Sequence, residues 1–337
     1  MAHRGLVPHE FGHGEHTPVS FFAVVVGLVL LVWGSDRFVF GASATARNLG
    51  IPPLVIGLTV VGVGTSAPEM LVSATAALQG NPGVSIGNAL GSNIANIGLV
   101  LGVTALVRSV LVRSRIFRLE FPAMFGVMAL AWILLGDGTL DRNDGLVLSL
   151  AFVILLLFML SIAVRARRSD PLQREFARRI PTDVGTGKAL LWFVVGLATL
   201  LMGSQAMVWG AVSIARSFEV SDLLIGLTVV AVGTSLPELA TSITSVLKNE
   251  PDIAVGNVIG SNMFNLLPVL AIAGLIAPTT VPLEALQRDF PVMLTLSVAL
   301  VVMSWGFRRP GRIARWEGGV LLLAFVGYQG LLYVSAV

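Results

Sequence analysis

Long runs of apolar residues recur along the whole of this 337-residue sequence. An α-helix needs about 20 mostly apolar residues to cross about 30 Å of hydrocarbon. We count ten such runs, at 20–46, 54–79, 83–107, 119–136, 145–164, 188–215, 223–247, 253–277, 290–307 and 316–336. The runs are continuous and lack the alternation of barrel strands, which favours helices. The sequence therefore predicts an all-α polytopic membrane protein with ten transmembrane helices.

The composition supports a membrane protein and excludes several kinds of chemistry. Only 12% of the residues are charged, against roughly 25% in a soluble domain. The chain contains no cysteine, so disulfides, thiolate catalysis and cysteine-ligated metals are excluded. The first apolar run is too long for a signal-peptide core and lacks a small-residue cleavage site, so we expect it to be retained as a helix.

Lysine and arginine are distributed unevenly between alternate predicted loops. One set of loops carries seventeen of these residues and the other carries four. Because cytoplasmic loops are enriched in basic residues, we expect the basic set in the cytoplasm and both termini outside the cell membrane. The positive charge is then a topology signal, with anionic lipid headgroups and not nucleic acid as its partner.

One motif is written twice in the chain. The segment from Leu54 to Leu101 aligns with that from Leu223 to Leu270 at a constant spacing of 169 residues, and about half of the aligned positions are identical. An odd number of predicted spans separates equivalent points, so the two copies are inverted in the membrane. Inverted repeats are typical of secondary transporters, which bind substrate at the interface between the repeats. A duplication kept only for packing would explain the matched apolar residues but not the matched polar ones.

The repeat divides the chain into four predicted regions. They are a polar N-terminal tail at 1–19, a first five-helix repeat at 20–164, a cytoplasmic linker at 165–187 and a second, inverted five-helix repeat at 188–337.

Two glutamates are the only charged residues within the repeated spans. Glu69 lies in the first copy and Glu238 in the second, and no lysine or arginine in those spans answers either of them. A carboxylate at membrane depth costs at least a few kcal/mol unless it has a partner, a cavity or a proton. A transported cation would supply that partner. The alternative is that both glutamates stay protonated and only form hydrogen bonds.

Oxygen-bearing side chains surround these glutamates at helical spacing. In each copy, Thr, Glu and Ser step by four residues along one helix, and Asn, Ser and Asn do so in the next helix. The set is Thr65, Glu69 and Ser73 with Asn88, Ser92 and Asn96, and Thr234, Glu238 and Ser242 with Asn257, Ser261 and Asn265. Calcium takes about six to eight oxygen ligands, and sodium accepts similar ones. Small polar residues also join membrane helices, and for Asn88 and Asn257 both roles stay open.

Each glutamate follows a proline, Pro68 or Pro237. Proline cannot donate a hydrogen bond to the carbonyl four residues earlier, so the helix is expected to break or bend there. The carbonyls that this frees, around Gly62 and Ala231, can serve as cation ligands, as in the broken helices of transporters. A kink used only for packing is the alternative.

The paired motifs resemble the two alpha repeats of the sodium/calcium exchanger family. They read GTSAPE at 64–69 with GSNIAN at 91–96, and GTSLPE at 233–238 with GSNMFN at 260–265. The resemblance implies two inverted five-helix repeats that bind calcium and sodium in turn while the first and sixth helices slide. It also implies a site residue by residue: Glu69 and Glu238 for calcium, with Thr65, Ser66, Ser92, Asn96, Thr234, Ser235, Ser261, Asn265 and the carbonyls of Gly62 and Ala231.

Asn265 departs from part of that family. The potassium-dependent members carry aspartate at this position, so asparagine here favours potassium independence and leaves two carboxylates. Two negative charges balance one calcium ion, whereas the three sodium ions that the resemblance implies would leave a net charge. We therefore expect electrogenic exchange, with no cofactor and no obligate protein partner.

Several alternatives remain at this point. The nearest is a proton/calcium exchanger, since a buried glutamate can release calcium by taking a proton; a passive cation channel and an intramembrane enzyme are more distant. The histidines of the tail, His3, His9, His13 and His16, fit a disordered segment or a metal-binding one. Asp36 and Arg37 are expected to pair near the cytoplasmic end of the first helix, either structurally or as part of a gate.

Overall fold

A computed structural model describes residues 17–50, 53–80, 82–112, 114–169, 184–217, 231–305 and 311–336. The four histidines, the prolines of the predicted linker and the start of the predicted seventh span lie outside this part of the chain.

Helices account for most of the described residues. We number them α1 (Thr17–Leu49), α2 (Ala67–Leu78), α3 (Pro82–Val107), α4 (Ser114–Leu135), α5 (Arg142–Ser169), α6 (Thr186–Ser217), α7 (Leu236–Leu247), α8 (Pro251–Ile276), α9 (Ala285–Ser304) and α10 (Arg315–Ala336). Turns of π-helix lie within α3 at Asn96–Leu101, within α8 at Asn265–Val269 and at the start of α9 at Ala285–Asp289.

The prediction of a helical protein with several membrane spans is confirmed. Seven of the described helices are long and apolar enough to cross a membrane, and α4 contributes a shorter apolar stretch, Leu119–Leu135. The segments that contain the two glutamates are built from shorter helices. The total of ten spans therefore stays a prediction.

The two proline-containing segments are interrupted at equivalent serines. Before α2 the chain forms three short helical pieces, Pro53–Ile56, Gly57–Val61 and Gly62–Thr65, and before α7 it forms Ala231–Thr234. Ser66 has φ −82° and ψ 5°, and Ser235 has φ −86° and ψ 3°. Proline is tolerated as the second residue of each new helix because its missing N–H has no intrahelical partner there. The predicted breaks are thus present in both halves, one residue after the threonine of the motif.

Helices α5 and α10 begin at side-chain caps. The Asp144 backbone N–H donates to Asp141 Oδ1 and the Asp141 N–H donates to Asp144 Oδ2, both at 2.8 Å. This hydrogen bond from Asp144 lowers the pKa of Asp141 below its ordinary value. At α10, the Ala314 N–H donates to Glu317 Oε2 at 2.6 Å. The cap of α5 is reciprocal and that of α10 is a single hydrogen bond, and both fix where the helix begins.

Glycines at a spacing of seven residues join α1 to α6. They are Gly27, Gly34 and Gly41 on α1 and, 169 residues later, Gly196, Gly203 and Gly210 on α6. A Cβ atom at Gly34 would lie 2.5 Å from the Leu200 backbone nitrogen, and one at Gly203 would lie 2.6 Å from that of Leu31. The two helices therefore pack backbone against backbone, as small residues allow in membrane proteins.

Two short antiparallel strand pairs tie the halves together. β1 (Val110–Val112) pairs with β4 (Gly311–Ile313), and β2 (Thr139–Leu140) pairs with β3 (Thr279–Thr280). β1 follows α3 and β3 follows α8, its equivalent. β1 pairs with β4, which lies just before α10, the last helix of the second half. β3 pairs with β2, which lies just before α5, the last helix of the first half. The sequence did not predict the strands, which are too short to carry a pattern.

Helices α3 and α8 occupy the centre of the molecule. In their apolar windows 72% and 78% of the residues are buried, against 22–28% for the other long helices. The surrounding helices expose apolar side chains outward, as expected for lipid contact. The Asn, Ser and Asn residues that the sequence places at helical spacing on α3 and α8 therefore lie in the interior.

The contact between the glycines of α1 and α6, which we call the glycine seam, gives the first prediction. Gly203→Ala should lower the free energy of unfolding by about 1–3 kcal/mol, because the added methyl group has no room against α1. Gly126→Ala is the matched control, since a Cβ at Gly126 meets nothing within 4 Å and alanine favours a helix by about 1 kcal/mol. Thermal unfolding in detergent, followed by tryptophan fluorescence, compares the two. Equal midpoints for both variants would contradict the seam.

Candidate cation site

Both glutamates lie in the interior, each in the first turn of its helix. Glu69 on α2 and Glu238 on α7 have no exposed surface. The N-terminal turn of a helix favours negative charge, because its backbone N–H groups lack intrahelical partners. The two carboxylates are close enough for their charges to repel each other. One site therefore holds both.

Glu238 receives hydroxyl groups from both halves of the chain. Ser66 Oγ donates to its Oε1 at 3.3 Å and Ser261 Oγ donates to the same oxygen at 3.2 Å. The Thr65 hydroxyl also lies beside this carboxylate and donates to Asn257 Oδ1 at 3.0 Å. The break after Thr65 is what turns these hydroxyls from the first repeat toward the glutamate of the second.

Glu69 is contacted by Thr234, which is the equivalent in the second repeat of Thr65. The Thr234 hydroxyl lies beside its carboxylate, although among the described residues neither carboxylate oxygen accepts a hydrogen bond of normal geometry. Ser235, the counterpart of Ser66, is buried and its hydroxyl has no partner in the same part of the chain. The threonine of each motif thus faces the glutamate of the other, and neither half builds the site alone.

Asn88 and Asn257 hold the backbone of the glutamates. Asn88 Nδ2 donates to the Glu69 carbonyl at 3.1 Å, and Asn257 Nδ2 donates to the Glu238 carbonyl at 3.2 Å. Ser92, which is fully buried, donates weakly to Asn88 Oδ1 at 3.5 Å. Of the two roles left open by the sequence, these contacts favour the joining of helices for both asparagines.

The carbonyl groups near the breaks are partly engaged. The Gly62 carbonyl accepts the Ser66 N–H at 3.0 Å and the Thr65 hydroxyl at 3.4 Å. In the other half the Ser235 N–H donates to the Val232 carbonyl at 3.2 Å, one residue after Ala231. The ligand roles of Gly62 and Ala231 stay a prediction.

The carbonyl that Pro237 leaves without a helical partner is that of Gly233. It accepts a hydrogen bond from Ser204 Oγ of α6 at 3.0 Å. The donor lost to proline is thus replaced by a side chain of the neighbouring helix.

Asn96 and Asn265 each form a hydrogen bond with a further asparagine of the other half. Asn96 Nδ2 donates to Asn262 Oδ1 and Asn265 Nδ2 donates to Asn93 Oδ1, each at 3.1 Å. All four are fully buried. Asn93 and Asn262 were not selected from the sequence, although their repetition 169 residues apart was a signal available there.

Several oxygen atoms of the predicted ligands are buried without a hydrogen-bond donor among the described residues. In the described part of the chain, buried oxygens without a hydrogen-bond donor include Glu69 Oε1 and Oε2, Glu238 Oε2, Ser235 Oγ, Asn96 Oδ1 and Asn265 Oδ1. No lysine or arginine there pairs with either glutamate. A buried acceptor left unsatisfied costs about 1–3 kcal/mol. Hard cations such as calcium and sodium bind this kind of oxygen set.

Comparisons with known proteins agree with this chemistry. The family model described as "Sodium/calcium exchanger protein" matches residues 19–161 and 188–334. The putative antiporter CaxA of Alkalimonas amylolytica is 50% identical over 94% of this chain and 99% of its own length. The sodium/calcium exchanger MaX1 of Methanosarcina acetivorans is 32% identical over 94% and 99%.

Solved structures show the same relationship. A structure of the sodium-calcium exchanger NCX_Mj, soaked with Na⁺ and Sr²⁺, matches with a TM-score of 0.78 and 32% identity, over 92% of this chain and 97% of that one.

The geometry predicts that removing one carboxylate charge weakens divalent-cation binding. Glu238→Gln keeps the side-chain size but removes half of the negative charge, so the calcium dissociation constant should rise at least about tenfold, equivalent to about 1.4 kcal/mol. Calorimetry on the purified protein measures it. Glu317→Gln, which changes a carboxylate at the start of α10, is the matched control and should bind as the wild type does. Normal affinity in Glu238→Gln would show that the site lies elsewhere.

Proposed function

Because this chain belongs to the sodium/calcium exchanger family, whose members are secondary transporters and not enzymes, we propose that it exports calcium in exchange for sodium by alternating access. The observation that carries the proposal is the buried pair Glu69 and Glu238, built from both repeats, with no basic partner among the described residues. The cation that balances this pair is the cargo.

Sodium is the proposed counter-ion because neutral oxygens accompany the carboxylates. Ser66 and Ser261 contact Glu238, and Ser235 and Asn96 supply further buried oxygens. A proton needs one carboxylate oxygen, whereas a sodium ion needs a shell of several oxygens. Family members that carry this function by name, such as MaX1, support the same assignment.

Potassium independence and net charge movement are part of the proposal. Asn265 is neutral and commits its amide nitrogen to Asn93, so two carboxylates remain at the described site. One calcium ion balances them, and three sodium ions would exceed them by one charge. Exchange in that ratio responds to membrane potential.

The contacts of α1 support alternating access because they lack a counterpart in the other half. Ser35 Oγ lies 2.8 Å from Thr244 Oγ1, and Lys248 Nζ lies 2.8 Å from Asp36 Oδ1. We call these contacts of α1 with the end of α7 the latch. The predicted partner of Asp36, Arg37, is more distant at 3.8 Å and stacks over Trp192.

The equivalent contacts of α6 are different in this state. Ser204, the counterpart of Ser35, bonds the Gly233 carbonyl, and Thr75, the counterpart of Thr244, bonds the Leu71 carbonyl of its own helix. We propose that sliding of α1 and α6 breaks the latch and brings Ser204 and Gln205 to Thr75 and Gln79. Since that second contact is uncharged, the ion pair of the latch favours the present state.

The proposed orientation places the latch at the cytoplasmic face. The β1–β4 pair brings together the two arginine-rich connections near Val110 and Ile313. Arg108 also donates to the Val246 carbonyl at 3.1 Å, next to Lys248. These contacts support one basic face, with both termini on the opposite side of the cell membrane. They also fit two inverted five-helix repeats, at 20–164 and 188–337, joined by a cytoplasmic linker.

Radiolabelled calcium uptake into proteoliposomes tests the proposed function. An outward sodium gradient should drive uptake, an equivalent proton gradient should not, and potassium should have no effect. Uptake should rise when the interior is made positive and fall when it is made negative, because net positive charge leaves with the sodium. Uptake driven by protons alone would establish the proton/calcium alternative, and uptake without any gradient would establish a channel.

The latch generates a separate prediction. Asp36→Asn should shift the population toward the second state by about 0.2–1 kcal/mol, the usual range for a partly exposed ion pair. The double variant Gln205→Asp with Gln79→Lys should shift it the same way by building the mirror-image pair. Spin labels at Met202→Cys and Leu78→Cys, both exposed positions in a cysteine-free chain, report the distance between α6 and α2.

Both variants should enlarge the population with the shorter distance between these labels. A distribution unchanged in both would contradict the latch while leaving ion exchange itself unaffected.

A further inference from the structure

Four buried asparagines form two crossed pairs between α3 and α8. Asn265 donates to Asn93 and Asn96 donates to Asn262, and the two hydrogen bonds have the same length, 3.1 Å. The spacing of 169 residues relates Asn93 to Asn262 and Asn96 to Asn265. We call this arrangement the asparagine cross. Each proposed ligand amide is therefore held by an asparagine of the other repeat.

The local backbone places these residues. A π-helical turn begins at Asn96 in α3 and at Asn265 in α8. One extra residue in a helical turn re-aims the side chains that follow, and such turns are frequent at functional sites. Each turn begins at the asparagine that we propose as a ligand, three residues after the other asparagine of the same helix.

Amide geometry explains why the partners matter. The nitrogen and oxygen of an asparagine side chain belong to one planar amide group, so fixing the direction of the nitrogen also fixes that of the oxygen. In the described structure Asn96 Oδ1 and Asn265 Oδ1 are buried and accept no hydrogen bond. If either amide rotated by a half-turn, it would present N–H donors that repel a cation. The acceptor oxygens of Asn93 and Asn262 oppose that rotation.

We infer that Asn93 and Asn262 are positioning residues that hold the carbonyl oxygens of Asn265 and Asn96 toward the transported cation. The inference rests on the proposed function, in which those two oxygens are ligands. The two pairs of the asparagine cross differ in one respect. Asn93 Nδ2 donates to Met293 Sδ of α9 at 3.3 Å, whereas Asn262 Nδ2 has no partner in the described residues. Asn93 is thus itself held in place.

Double-mutant cycles on sodium-driven calcium uptake test the asparagine cross. Asn93→Leu removes the acceptor at similar volume and should raise the calcium KM about fivefold, the effect of losing one hydrogen bond, with little change in the maximal rate per folded molecule. In an Asn265→Ala background the same change should have less than about a twofold effect, because its target is gone. In an Asn96→Ala background the full effect should persist.

Asn262→Leu gives the reciprocal cycle, with its effect lost in Asn96→Ala and kept in Asn265→Ala. Asn93→Ala and Asn262→Ala remove the same acceptors without added bulk and replace the leucine variants if those fail to fold. Equal effects in both backgrounds, or an unchanged KM in the single variants, would overturn the inference. Absence of sodium-driven uptake in the wild type would instead refute the proposed function, so the two failures are distinguishable.

Discussion

Two carboxylates buried in a membrane protein without a basic partner are the constraint on which the structure depends. An unpaired charge in such surroundings costs several kcal/mol, and a second one nearby adds repulsion. The fold lowers this cost in part, with helix N-termini under Glu69 and Glu238 and hydroxyl groups beside both. In the function we propose, a cation meets the remaining cost, so the arrangement that is costly for two carboxylates alone gives the site its affinity for cations.

Crossed contacts make the two repeats interdependent. Thr65 faces Glu238, Thr234 faces Glu69, and the asparagine cross joins α3 to α8 in the same manner. The glycine seam between α1 and α6 has a contrasting character, because backbones that meet without interlocking side chains can slide. The hydrogen-bonded pair α3 and α8 can hold the site while the glycine-packed pair α1 and α6 slides, which suits alternating access.

The sequence predicted what depends on local pattern. Apolar runs gave the helices, and Pro68 and Pro237 gave the breaks at Ser66 and Ser235. Partners across the repeats were not predictable, because helical spacing identifies a face but not what that face meets. Asp36 therefore contacts Lys248, 212 residues away, more closely than the expected Arg37.

Competition between sodium and calcium for the purified protein tests the central account most directly, because it asks whether one oxygen set serves both ions. Binding of radiolabelled calcium at increasing sodium concentrations should show a rising calcium dissociation constant with an unchanged number of sites. Calcium binding that is indifferent to sodium would place the two ions at separate sites and contradict the account.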